Sequence, residues 1–441
     1  MRYIIEYIYR IFLPVALAVI VLALPQQASA QEPMAADTSA QAATDSVVPA
    51  DSIIPPRPKP DIPEPAVVGI VIRDLATGED IVSRNPDALL APASILKSIT
   101  SACALLDDKA DMRFLTKACI RGKIKDRQLW GDLIVVASGD PTTDDPHFPE
   151  NAALVDSIAA RVAALGIDSI RGQIMFDTSL VPEGGPSPHW LPGDYKYDYG
   201  AGHFAINYKG NSLPPDKAMP DPPGFFYDAL ENALLADSIF VIGDDFDSKG
   251  KLREIYRRYS PPAKDIMRSM MVRSDNMFAE AMLRSLAPGR DVKAAVAREK
   301  QILDRMGVPA GRVCINDGSG LARNNLVTPS FMADVFQAMA GSKVADEYLA
   351  LFPKAGVEGT VRRLLANTPL AGQLRLKSGS MRGVQCYAGY KTTPDGKPTH
   401  AVVFIVNRFI CPRSTVVSEA EAFLLETFCP EQEPVTTSAE Q

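Results

Sequence analysis

The chain has 441 residues, a formal net charge of -7 and 46% hydrophobic residues. That length accommodates two compact units, since a single core usually stops growing at roughly 250 residues. The acidic balance argues against a nucleic-acid partner, because no surplus of Lys and Arg exists to replace phosphate counterions. Four histidines and six scattered cysteines form no cluster at zinc spacing.

In chain order, residues 1–30 read as an export signal. Arg2 and Arg10 flank a short polar start, Ile11 to Leu24 are apolar apart from Pro14, and Ala28-Ser29-Ala30 offers a cleavage site. This 14-residue run falls short of the roughly 20 residues a bilayer core requires. Cleavage and a periplasmic location are expected, with membrane contact only if the segment stays uncleaved. Residues 31–65 carry eight prolines and no hydrophobic period, and read as a disordered tether. Export makes disulfides possible, but the sequence selects no pairing among the six cysteines.

Ala66 to Asn85 carries an alternating half, a Thr77-Gly78 turn and a second β-prone run, a hairpin signal. Beyond Pro92, the apolar positions Ile95, Leu96, Ile99, Ala102, Cys103, Leu105 and Leu106 predict a helix with a broad buried face. The texture changes over 122–262. There a strand ("LIVVAS"), a helix ended by Gly166 and a strand ("SIRGQIMFDTSLV") precede a long Pro-, Gly- and Tyr-rich stretch, more apt as a binding wall than as free linker. Helical patterns return over 263–272, 277–286 and 292–306. "QLRLKSGSM", "GVQCYAGYKT" and "HAVVFIVNRF" predict three strands, and "VVSEAEAFLLETF" a final helix. If the chain ends pair, the expected fold is α+β: an antiparallel sheet from both ends flanked by helices (66–121 and 263–429), an inserted second domain (122–262) and a flexible tail (430–441).

Ser94 and Lys97 sit three residues apart at the helix start, hence on one face. A serine hydroxyl needs a base within hydrogen-bond reach, and a lysine serves only when neutral, a state favoured by burial or by a nearby cation such as Lys377. A lone Ser-x-x-Lys is a common accident. Two further elements change its weight: Ser274-Asp275-Asn276 between helical segments, and Lys377-Ser378-Gly379 in an otherwise apolar strand, where glycine permits close backbone approach. These are the three elements of the penicillin-binding-protein and serine β-lactamase site.

With "PASILK", "SGDPT", "RSDNMFAEAMLRSL", "DGSGLARNNLVTP", "AGVEGTVRRLL" and "KSGSMRGVQCYAGY" in the same order, the sequence resembles the low-molecular-mass class C penicillin-binding proteins. These are exported D-alanyl-D-alanine carboxypeptidases that often also act as endopeptidases. The resemblance implies a serine β-lactamase/transpeptidase-like fold, Ser94 as nucleophile and Lys97 as base. Ser274 would relay a proton, Asn276 would hold Lys97 and the substrate amide, and Lys377 and Ser378 would bind the terminal carboxylate. The N–H groups of Ser94 and Ser380 would form the oxyanion hole, with Gly379 between the binding residues, while Asp275 braces its loop. It further implies Asp140 and Arg323 as readers of the substrate's diamino-acid side chain. Arg382, where glutamine is common, would alter that preference. Substrates would be peptidoglycan stem peptides, inhibitors β-lactams, and no cofactor or metal is implied. The short Lys97–Ser274 separation suggests that an inserted domain of larger members is reduced. A serine β-lactamase, or a noncatalytic wall-binding protein of the same fold, remains an alternative.

Overall fold

The structure, a computed structural model, describes residues 59–244 and 250–430. The expected export signal, the tether up to residue 58 and the tail from 431 lie outside the described residues. Residues 59–65, assigned to the tether on composition, are seated on the folded unit. Ile62 packs against a core cluster, the Asp61 N–H donates to Glu419, and the Arg84 guanidinium donates to the Pro60 carbonyl. A proline-rich run need not be free when one apolar side chain in it finds a groove.

The chain enters through β1 (Val67–Asp74) and β2 (Asp80–Arg84), makes a tight 3-10 turn at Ala93–Ile95 and runs into helix α1 (Leu96–Leu106). A second region follows: β3 (Leu115–Lys125), β4 (Gln128–Val136), α2 (Leu154–Ala163), β5 (Ser169–Ile170), β6 (Ile174–Asp177), β7 (Ser212–Leu213), β8 (Lys217–Ala218), α3 (Pro222–Ala236), β9 (Phe240–Val241) and β10 (Arg253–Tyr259). The return passes through α4 (Ala263–Arg273), α5 (Asn276–Arg284), α6 (Val292–Arg305), α7 (Pro329–Ala340) and α8 (Ala345–Ala350). It closes with β11 (Leu374–Met381), β12 (Val384–Thr392), β13 (Pro398–Asn407) and α9 (Arg413–Phe428).

Both chain ends meet in one antiparallel sheet of order β11-β12-β13-β1-β2, with Ile70 opposite Phe404 and Ser380 opposite Gln385. Its central strands are near-continuous apolar runs because both faces are covered. On one face Val71, Val403 and Ile405 join the cluster of α1, α4, α5 and α7; on the other Ile70, Phe404 and Leu376 pack against Phe423 and Leu424 of α9. Helix α1 lies inside the first cluster, and its polar residues Lys97, Ser98, Thr100 and Ser101 are as buried as its apolar ones. The broad apolar face read from sequence is therefore a helix enclosed on every side.

The inserted region has its own core and a six-stranded mixed sheet, β10-β3-β4-β5-β9 with β6 also on β4. The boundary expected at 122 falls inside β3, because β10 reaches back to pair Tyr259 with Leu115. The single strand read in "SIRGQIMFDTSLV" is two short strands on β4, broken at Arg171-Gly172. At Gly172 a Cβ would lie 2.3 Å from Asp132 Oδ1. Helix α3 went unread although Asp221 caps it, accepting from the Gly224 N–H, with proline in its first turn. All six cysteines are free thiols in the structure.

Phe404, fully buried between α9 and the strand neighbours, tests this layering. Phe404→Ala is expected to cost about 3–5 kcal/mol in equilibrium denaturation, and a loss under about 1 kcal/mol would contradict a helix-covered sheet.

Candidate active site

Pro92 opens the tight turn that carries the serine. Ala93 takes a positive φ of 47°, and the turn's first backbone bond runs from the Ile95 N–H to the Pro92 carbonyl. The Ser94 N–H thus has no acceptor in its own turn. One helical step on, Lys97 Nζ lies 2.9 Å from Ser94 Oγ, and it donates to Asn276 Oδ1 (2.6 Å) and to the Ser319 carbonyl (2.7 Å). Both of the latter oxygens can only accept. A neutral amine has two N–H donors and one lone pair, so two carbonyl partners consume the donors and the lone pair is left for the serine hydroxyl. Burial pushes the Lys97 amine down to about 8, partly opposed by Asp317, Asp275 and Glu280. The sequence offered Lys377 as the depressing cation; enclosure by the core is what lowers Lys97.

The Ser274-Asp275-Asn276 segment joins α4 to α5. Ser274 occupies the left-handed region (φ 66°) at the end of α4. Asp275 caps α5, accepting from the Phe278 N–H at 3.0 Å, and pairs with Arg273, so its carboxylate braces the loop. Asn276 Nδ2 donates to the Tyr199 carbonyl at 2.8 Å, a contact that ties the inserted region to the site. Lys377 is also fully buried; its Nζ donates to Ser274 Oγ at 2.9 Å and to the Ser378 carbonyl at 2.6 Å. Desolvation, then repulsion from Lys97, holds this amine well below the usual lysine range.

β11 is a sheet edge. Leu376 donates its N–H to the Pro353 carbonyl and the Leu374 carbonyl accepts from Ala355, so even-numbered residues turn their backbone groups away from β12. The alternation places the Ser378 and Ser380 N–H groups on that same outer edge. Gly379 lets this edge close on the serine turn: a Cβ there would lie 2.7 Å from the Pro92 carbonyl oxygen and 3.0 Å from the Ser94 nitrogen. Ser378 Oγ lies 2.6 Å from Thr360 Oγ1 as donor to it.

Ser94, Ser274, Asn276, Ser378 and Ser380 line one cleft of about 750 Å³. Arg323 and Arg382, both exposed, stand in its wall. Asp140 does not. It is 4% exposed, with Oδ1 accepting from the Thr142 N–H and hydroxyl and Oδ2 from Asn151, so its carboxylate braces a turn in the inserted region. The carboxylate that does line the cleft from that region is Asp194, which accepts from the Tyr199 hydroxyl at 3.1 Å. Both lie in the Tyr-rich stretch read as a binding wall. Nothing local in the sequence distinguishes Asp194 from Asp198, because loop path alone decides which one faces the serine. Thr360 was missed for the same reason.

The base geometry fixes a pH dependence. A Lys97 that serves as base must be neutral, so the rate constant for acylation of Ser94 by a β-lactam should then rise about tenfold from pH 6 to pH 7 and level off above about 8. A profile flat from pH 6 to 9 would contradict a lysine base.

Comparison with known proteins bears on the family and the fold. The family model described as D-Ala-D-Ala carboxypeptidase 3 (S13) matches residues 58–224 and 205–416. The chain is 26% identical to the D-alanyl-D-alanine carboxypeptidase of Actinomadura sp. (strain R39), over 84% of this chain and 83% of that one. It is 25% identical to the D-alanyl-D-alanine carboxypeptidase DacB of Haemophilus influenzae, over 78% and 86%. In fold it is similar to the crystal structure of penicillin binding protein 4 from Haemophilus influenzae, with a TM-score of 0.71 at 23% identity, covering 83% of this chain and 97% of that one. With most of the described chain matched in this way, the protein belongs to the D-Ala-D-Ala carboxypeptidase 3 (S13) family.

Proposed function

We propose that this protein is a serine-type D-Ala-D-Ala carboxypeptidase that cleaves peptidoglycan stem peptides through an acyl-enzyme on Ser94 and is acylated by β-lactams. The observation that carries the reading is the 2.9 Å contact between Ser94 Oγ and a buried amine whose other two partners are carbonyl oxygens. Ser94 Oγ attacks the carbonyl of the penultimate D-alanine as its proton passes to Lys97. The N–H groups of Ser94 and Ser380 receive the developing oxyanion. Lys97 then gives that proton up through the hydroxyl of Ser274, held by Lys377, to the departing amine as the C–N bond breaks and terminal D-alanine leaves, which returns Lys97 to the neutral amine. Water then attacks the ester carbonyl, giving its proton to the neutral Lys97, which passes it to Ser94 Oγ as the ester C–O bond breaks, leaving the free acid and the restored hydroxyl. Ser378, Thr360 and Ser274, the last held from beneath by the buried Lys377, form the end of the cleft suited to a terminal carboxylate. Its other wall supplies Asp194 and Arg323 for an amine and a carboxylate on the substrate side chain.

The export signal read at residues 1–30 supports placement in the periplasm, where such peptides occur. Endopeptidase action on cross-links fits the same chemistry, and two fold neighbours are named as predatory endopeptidases from Bdellovibrio bacteriovorus, at 14% and 18% identity and TM-scores of 0.53 and 0.51.

Intact-protein mass spectrometry after penicillin treatment should show one covalent adduct on the wild type and none on Ser94→Ala. No adduct on either would refute the reading, and rapid release of hydrolysed penicillin would assign a β-lactamase instead. Arg382→Gln should slow cleavage of muropeptides with a free side-chain carboxylate by roughly fivefold, about 1 kcal/mol, and spare the amidated form. Equal loss on both would remove Arg382 from side-chain recognition.

A further inference from the structure

Helix α5 begins with Asn276 and, one turn later on the same face, places Glu280. Asn276 touches the catalytic amine directly. Glu280 is 4% exposed and reaches the amine at one remove. Its Oε1 accepts from the Gly318 N–H (3.1 Å) and the Ser319 N–H (3.0 Å), and the Ser319 carbonyl is the acceptor 2.7 Å from Lys97 Nζ. A second buried carboxylate, Asp317, fixes the rest of this turn, accepting from the Gly320 and Ala322 N–H groups, Asn325 Nδ2 and Trp190 Nε1. Gly320 is pressed so close that a Cβ there would lie 1.9 Å from the Ala93 carbonyl oxygen. The turn therefore has little freedom of its own, and the position of its Ser319 oxygen follows its two carboxylate anchors.

The two anchors differ in one respect. Asp317 is fully enclosed, whereas Glu280 also lines a separate cavity of about 580 Å³ behind the site, together with Glu183, His189, Arg284, Asp291 and Lys293. Its carboxyl group thus has a path for proton exchange that does not cross the substrate cleft. We infer that Glu280 is a positioning residue for the acylation step, holding the Ser319 carbonyl on Lys97 and, through its charge, setting how readily that amine gives up its proton. The inference rests on Lys97 being the base.

The charges around Glu280 give the sign. Asp317 on the turn disfavours its ionisation and Arg284, one turn further along α5, favours it; Glu299 on α6, whose own carboxyl Glu280 helps to raise, and Lys97 on α1 also face it. Glu183, His189, Asp291 and Lys293 share the cavity. Burial, with Asp317 next, raises the Glu280 carboxyl to about 7. Over the range where Lys97 titrates, Glu280 is therefore mostly anionic and favours the ammonium form. Removing its charge while keeping an acceptor oxygen shifts Lys97 toward the neutral amine.

The test is a titration of the Lys97 side chain followed by its 13Cε resonance in lysine-labelled protein, assigned by its loss in Lys97→Arg, alongside the pH profile of acylation by a fluorescent penicillin. Glu280→Gln should leave the melting temperature within a few degrees of wild type and move the Lys97 midpoint down by about half a pH unit. The rising limb of acylation should move with it, a gain of roughly 1.4-fold at pH 7, where Glu280 itself is about half protonated. Glu280→Ala, which removes the acceptor shared by the two N–H groups, should acylate about tenfold more slowly even above pH 9, with glutamine restoring the rate there. An unmoved midpoint in Glu280→Gln, or wild-type acylation in Glu280→Ala, would overturn the inference. A lowered melting temperature with no displacement of the midpoint would do the same, reducing Glu280 to a structural brace. The resonance is read without any reaction, so failure of Lys97 as the base, seen as a wild-type acylation profile that does not follow the Lys97 titration, is distinguishable from failure of this proposal.

Discussion

A lysine amine with no exposed surface is the constraint around which this protein is organised. Taking an ammonium out of water without a counter-charge in contact is costly, and the chain resolves this by making the neutral form the better fit. Two carbonyl oxygens, from Asn276 and Ser319, absorb the donors, and the remaining lone pair faces Ser94. Those three partners together span more than two hundred residues of the chain, from Ser94 to Ser319. The site therefore exists only when α1, α5 and the 317–322 turn are packed together, and its chemistry is inseparable from the integrity of the helical core.

The same enclosure explains the placement of the second lysine. Lys377 enters from the sheet edge and reaches Ser274, whose left-handed backbone at the end of α4 aims its hydroxyl between the helical layer and the sheet. Burial, and then repulsion from Lys97, makes it costly for Lys377 to hold its proton. An incoming carboxylate would relieve that repulsion on the Lys377 side while leaving Lys97 as base. The inserted region takes part through backbone: the Tyr199 carbonyl receives the amide of Asn276, so the wall carrying Asp194 is coupled to the group that orients the base.

Legibility varied with the range of the interaction. The turn at Pro92, the helix after it and the pairing of the chain ends were readable because apolar period, proline and strand length are local signals, and only one sheet can bury runs such as "HAVVFIVN" on both faces. Residues 59–65 misled because composition reports the cost of ordering a segment but not the groove that offsets it. The start of the inserted sheet at Leu115 was hidden since "LTKACIRGKIK" alternates only in part, and its partner β10 lies more than a hundred residues away. Asp140 was assigned from a motif, and the fold turns it inward to hold Thr142 and Asn151.

What the sequence by itself determined was which short segments meet: Ser94 with Lys97 at helical spacing, the Ser274-Asp275-Asn276 turn and the Lys377-Ser378-Gly379 strand, since residue type and short spacing carry that information. What only the tertiary structure decided was which distant groups touch them. The Ser319 carbonyl, Glu280 behind it, Thr360 beside Ser378, and Asp194 rather than Asp140 in the cleft are set by loop paths and by burial. Neither is written in any window of the chain, because each arises from packing between elements far apart along it.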